Sequence, residues 1–151
     1  MKVTISKALK LKSRLIDSME VSKNRFLSSN ISTNQQPAEY NSKEYLEKYQ
    51  RQANLLVGLK VAIQRGNDID LIYRLSETKN LLNTISRLNT NRPMPYNYGQ
   101  AQVEPFEYSI ACSTTDKDVM IQALKLQIAD LQDELDAYNA RTEIEIPELE
   151  F

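Results

Sequence analysis

Apolar positions along this chain recur mostly at alternating steps of three and four residues, the spacing of one helix face. The clearest run lies between Asp116 and Arg141. There Ile121, Leu124, Ile128, Leu131, Leu135 and Tyr138 form a heptad seam. Thr115, with Asp118 three residues on, predicts the N-terminal cap, and Asp116 and Asp118 suit the positive end of the helix dipole. A helix over 116–141 spans roughly 40 Å at about 1.5 Å per residue. A seam of that length needs a partner surface, inside the chain or on another copy.

Three earlier stretches carry the same period. Over 4–27, Ile5, Ala8, Leu9, Leu15, Ile16, Met19, Phe26 and Leu27 trace one stripe, with Lys12 and Lys23 near its border. A polar segment, 28–40, follows as a loop that reverses the chain. Asn41 then caps a helix over 41–65, with Tyr45, Tyr49, Gln52, Leu56, Leu59 and Ile63 in line. Gln52 interrupts that seam and reads as a register-setting or half-exposed residue. Gly58 marks a close helix approach, and Gly66-Asn67 reads as a stop signal. A further helix covers 69–89, with Leu71, Leu75, Thr78, Leu82 and Ile85 on one line. The short turn at Gly66 predicts that it forms an antiparallel hairpin with the helix before it.

The period changes to two after the Pro- and Gly-containing stretch 91–102. Phe106, Tyr108, Ile110 and Cys112 alternate with polar or small residues, which predicts a half-buried strand over 104–113. Its partner is expected in 96–102, in the same strand of another copy, or in the tail. The acidic tail 142–151 alternates Ile144 and Ile146 with Glu143 and Glu145 before Pro147. It reads equally as an edge strand, a segment threaded over a neighbour, or a frayed end.

These elements predict a mainly all-α single domain over 1–151. It is an elongated antiparallel bundle or coiled coil of about four helices with a small β element before the last. The composition agrees, with 26% charged residues, 3 Gly, 5 Pro and no Trp. Mean hydropathy is −0.51. Leu and Ile must supply most of the packing. Charge is spread unevenly: residues 1–36 carry a net +5 and residues 116–151 a net −7. The basic face of the first helix (Lys7, Lys10, Lys12 and Arg14) is read first as facing the acidic last segment, and alternatively as a nucleic-acid surface.

The composition also narrows the chemistry. With no His, the usual general base near neutral pH and the commonest metal ligand are missing. One cysteine, Cys112, excludes an internal disulfide and is expected to be a structural thiol. No catalytic, cofactor-binding or metal-binding constellation stands out, and Asp130, Asp133, Glu134 and Asp136 read as a solvated face. No apolar run approaches the ~20 residues of a membrane span. Lysines interrupt any signal-peptide core at the start. A cytoplasmic protein is expected, or one assembled into a virion if phage-encoded.

The order of pieces resembles a known family. The pair YLEKYQRQANLLVGLKVAIQRGN and DLIYRLSETKNLLNTISRLNT is followed by FEYSIACSTTD and by IQALKLQIADLQDELDAYNARTEIE. Together they are similar to the septicolysin-like family of small bacterial helical, coiled-coil proteins, whose members carry no settled biochemical role. The strand-like lead into the last helix and the closing LDAYNARTE are the more specific parts. Ala140 stands where an aromatic residue tends to follow the Asn. The resemblance implies a helical architecture, and its cytolysin label implies little for a chain with no secretion signal.

The expected function is that of a non-enzymatic structural or scaffolding protein. It would act through coiled-coil and strand-mediated assembly with itself, as a homo-oligomer, and with other proteins. A nucleic-acid-associated role for the basic first helix is the competing class.

Overall fold

The computed structural model describes residues 1–94 and 107–151. Its elements are β1 (Lys2–Thr4), α1 (Ile5–Ser28), α2 (Ser42–Gly66), α3 (Ile69–Ser86), α4 (Thr114–Arg141) and β2 (Glu143–Glu145). The protein is mainly helical with one small sheet, as the pattern predicts. The chain divides into two compact units. One combines Met1–Asp68 with Leu135–Phe151, and the other is Ile69–Glu134. α4 is long enough to serve both.

The first unit is built on an antiparallel α1–α2 pair. Thr4 caps α1 by accepting from the Lys7 N–H at 3.2 Å, and Asn41 caps α2 by accepting from the Glu44 N–H at 3.4 Å. Arg25 and Arg65 sit in the last turns, where cations offset the helix dipole. The buried line of α1 steps by seven through Ala8, Leu15, Ser22 and Ser29. On α2, Tyr45, Gln52, Leu59 and Gly66 step by seven in the opposite direction. The expected α1 stripe is therefore corrected in part. Ile16 (44% exposed) and Leu27 (61%) lie outside the core, and Ser22 lies inside it. A strict seven-residue step selects Ser22 despite its polarity, because Gln52 on α2 meets it there.

The loop end of the hairpin is closed by Arg25. Its Nη1 donates to the Tyr45 hydroxyl at 2.8 Å, and its guanidinium lies 4.5 Å from the Tyr40 ring centre. The Tyr40 and Tyr45 rings meet edge to face at 5.4 Å. Ser42 Oγ ties the two helices by donating to the Phe26 carbonyl at 2.9 Å.

The tail completes this unit. β2 pairs antiparallel with β1, with Lys2 opposite Glu145, Val3 opposite Ile144 and Thr4 opposite Glu143. The Ile5 N–H donates to the Thr142 carbonyl at 2.9 Å, which carries the pairing into α1. Of the three fates expected for the tail, it takes the edge strand, then runs on along α2. Ile144 lies against Gly66, Pro147 against Gly58, and Glu150 against Arg51 and Gln52. The lengths match: six extended residues cover about 20 Å and fifteen helical residues about 22 Å. Val3, Ile5, Ala8, Leu15, Leu59, Ile63, Ile144 and Ile146 form the core, joined at its edge by Tyr138 and Leu149.

Both glycines of α2 are explained by this path. A Cβ on Gly58 would meet Pro147 Cγ at 3.3 Å, and one on Gly66 would overlap Ile144 Cγ2. The close helix approach expected at Gly58 is instead an approach of the tail. α2 ends at Gly66 as predicted, with Asn67 in an ordinary extended conformation (φ −63°, ψ 145°). The stop needs no left-handed residue there. Glycine is required at 66 for space.

The second unit holds α3 and the first three-quarters of α4. Leu75 is buried and Leu71, Thr78, Leu82 and Ile85 are half-buried, the line predicted for α3. Lys117 Nζ donates to the Leu88 carbonyl at 3.0 Å, and Thr114 Oγ1 to Thr90 Oγ1 at 2.9 Å. The Asp70 hydrogen bond and then its charge raise the Arg74 pKa, and Glu134 adds to the same effect. The end of α3 thus lies by the start of α4. The hairpin expected of α2 and α3 spans the boundary between the units. Within its own unit, the antiparallel partner of α2 is α1.

Two expectations near α4 are corrected. The cap is Ser113 with Asp116, two residues before Thr115 and Asp118. The Asp116 N–H donates to Ser113 Oγ at 3.1 Å and the Ser113 N–H to Asp116 Oδ2 at 3.0 Å, a reciprocal box. The strand expected over 104–113 is not formed by residues 107–113, which are irregular. The residues 104–106, with Phe106, and the partner proposed in 96–102 lie outside the described residues. The ladder that the alternation anticipated is made instead by the chain's two terminal segments. Ser113, the last residue of the expected strand, has its N–H committed to the cap.

Candidate interaction surfaces

The six seam residues of α4 are placed on one covered face. Leu124 is buried, and Ile121, Ile128, Leu131, Leu135 and Tyr138 are half-buried. The Tyr138 hydroxyl donates to the Gly66 carbonyl at 2.8 Å, which anchors the end of the seam within its own unit. Of the strand-pairing residues, Tyr108 and Ile110 are exposed and Cys112 is half-buried. Arg92 lies over the Tyr108 ring at 5.6 Å.

The opposite face of α4 carries a second line that the sequence reading missed. Val119 (64% exposed) and Leu126 (65%) stand one heptad apart on it. Ala123 lies between them, and Asp130 and Asp133 continue it, all three exposed. Counting a second set of three-and-four steps from Val119 would have found it.

The basic residues of α1 divide. Lys7, Lys10 and Arg14 share one exposed line, and Arg14 lies over the Phe151 ring at 4.5 Å. Lys12 is half-buried on another side, where with Leu9 and Lys60 it lines a groove of about 490 Å³ between α1 and α2. The first and last segments meet through the strands, with a Lys2–Glu143 ion pair at 3.0 Å, and not through the basic face of α1. The Glu143 hydrogen bond, more than its charge, raises the Lys2 pKa. Among the described residues, no ion pair involves Lys7, Lys10, Lys12 or Arg14.

A polar cluster is enclosed where the tail crosses the hairpin. Ser22 Oγ donates to Gln52 Oε1 at 2.9 Å, and Gln52 Nε2 donates to Ser18 Oγ at 2.9 Å and to the Glu150 carbonyl at 3.2 Å. Gln52 is fully buried, so the interruption seen in the sequence is a core residue with its polar atoms used. Beside it Arg51 grips the Glu150 carboxylate through two bonds of 3.0 and 3.1 Å, and that hydrogen bonding holds the Glu150 carboxyl below its ordinary value. The cluster has no nucleophile–base geometry and reads as structural.

An open groove of about 570 Å³ runs between α2 and the tail, lined by Gly58, Val61, Ala62, Arg65, Gly66, Ile144, Glu145 and Pro147. Among the described residues, no three Cys, Asp or Glu side chains gather as a metal-binding group. No described helix is long and apolar enough to cross a membrane. No protein-family model, curated protein or solved structure matches this chain. The functional reading rests on the chain's own surfaces.

Proposed function

We propose that this protein is a structural component that acts by assembling with copies of itself. The observation that carries the reading is the pair Val119 and Leu126, both about two-thirds exposed and one heptad apart on a long helix. Large apolar side chains repeated at that spacing on one helix face match a coiled-coil contact. Tyr73 on α3, at 65% exposure, adds apolar surface in the same unit.

The competing nucleic-acid reading draws less support. Lys12 sits apart from Lys7, Lys10 and Arg14, which leaves three cations on the line. Three phosphate contacts give a log–log salt slope of only about −2.7, and the aromatic beside them, Phe151, already stacks on Arg14.

Light scattering on wild type and on Leu126→Asp tests the proposal. An assembled wild type that falls to lower mass on substitution, with its helical circular dichroism kept, supports it. A wild type that is monomeric across the micromolar range overturns it.

A further inference from the structure

Resting on that assembly reading, we infer a contact between copies: residues 108–112 of one copy add as a third strand to the open edge of β2 in another, over the groove beside α2.

The open edge follows from the ladder. The Ile5 N–H donates to the Thr142 carbonyl at 2.9 Å, and the Ile146 N–H to the Met1 carbonyl at 2.8 Å. Every second residue of an antiparallel strand bonds its partner, so Thr142, Ile144 and Ile146 direct their backbone groups to β1. Those of Glu143 and Glu145 point the other way. Among the described residues, no backbone bond meets them there. A row of such groups is a template for another strand. The groove of about 570 Å³ borders this edge, with Ile144, Glu145 and Pro147 on one wall and Gly58, Val61 and Ala62 of α2 on the other. A segment that pairs with an edge strand gains main-chain bonds, and pockets beside the edge select its alternate side chains.

The chain carries a segment of matching pattern. Tyr108, Ile110 and Cys112 alternate with Ser109 and Ala111, yet residues 107–113 are irregular, and Ile110 is exposed. On the edge of β2, the alternation turns Tyr108, Ile110 and Cys112 to the same side as Ile144, towards α2. The small, uncharged Ser109 and Ala111 then share the outer side with Glu143 and Glu145, so no carboxylate is set beside another. Chain length selects a second copy. Ser113 leads straight into α4, a single helix of 28 residues, and β2 follows its far end. That helix is about 42 Å long, and five extended residues cover about 17 Å. The segment falls short of β2 in its own chain and reaches it only in another.

A short thiol cross-linker tests the contact, in a chain where Cys112→Ser removes the native thiol. Val61→Cys combined with Ile110→Cys is expected to give covalent dimers, and either substitution alone is not. No dimer from the combination, or equal yield from a single substitution, overturns the contact. By sedimentation, Ile110→Asp in the otherwise native chain is expected to associate about tenfold more weakly or worse, with its helical circular dichroism kept. Undiminished association of that variant overturns the contact and leaves the assembly reading standing, because that reading rests on Leu126. A monomeric wild type overturns both.

Discussion

Ser22 on α1 and Gln52 on α2 meet at 2.9 Å, one heptad from Leu15 and Leu59 of the apolar core. The pair favours this register of the two helices, because a shift of either by one turn would break the buried Ser22–Gln52 bond. It also fixes the tail, through the Glu150 carbonyl.

Gln52→Leu keeps the volume but removes the donor to that carbonyl. A buried acceptor left without a partner costs about 1–3 kcal/mol. Urea unfolding is expected to show a loss in that range, with faster proteolysis at the tail. Adding Ser22→Ala to Gln52→Leu is expected to add less than Ser22→Ala costs alone, since the two residues share one bond.

Gly66→Ala and Gly58→Ala should part company. Each gains about 1 kcal/mol of helix propensity. At Gly66 the new Cβ would overlap Ile144, so a net loss of about 1–3 kcal/mol is expected. At Gly58 it would meet the edge of the Pro147 ring at 3.3 Å, and a small shift of the tail accommodates it. Gly58→Ala is expected to be neutral or mildly stabilising by denaturant midpoint.

The Arg51–Glu150 pair gives a pH signature. The hydrogen bonds from Arg51 hold the Glu150 pKa below its ordinary 4.5. A depressed carboxyl stabilises the folded state above its unfolded pKa, and that contribution fades as pH falls through the folded value. Melting of wild type and Glu150→Gln is expected to differ most near neutral pH and to converge as pH falls below 4.5. The side chain is 40% exposed, so the difference is small and shrinks with salt.

Leu124 and Leu126 stand two residues apart on α4 with opposite surroundings, 8% and 65% exposed. Leu124→Ala is expected to cost about 2–4 kcal/mol of stability in its unit. Leu126→Ala is expected to stay within about 0.5 kcal/mol when measured on dilute protein. Equal losses at the two positions would contradict the placement of α4.

The helices were legible because their signals are local. Three-and-four spacing located each helix to within a few residues, and Asn41 with Glu44 marked one start directly. The cap of α4 was misplaced because Ser113-Asp116 and Thr115-Asp118 are overlapping versions of one signal, and spacing cannot rank them. The strand at 104–113 misled for the opposite reason. Alternation records a face but names no partner, and the partner of a strand lies elsewhere in the chain. Val3 pairs with Ile144 across nearly the whole sequence, and nothing near either residue announces it. The surfaces were half legible. Lys7, Lys10 and Arg14 follow from the helical angle, which also sets Lys12 apart. The outer line of α4 went unread beside the stronger seam of the same helix.

The pairing of β1 with β2 also sets an order of events. α1 and α2 emerge from the ribosome together and can pair as soon as both are out, since their contacts need only the short loop between them. The groove along them stays open while α3 and α4 are made, and Val3, Ile5 and Gly66 wait for a segment synthesised more than seventy residues after Gly66. At about 5–20 residues per second that interval is roughly 4–15 s. During it the nascent hairpin shows apolar surface that the tail of a neighbouring chain on the same messenger could reach first.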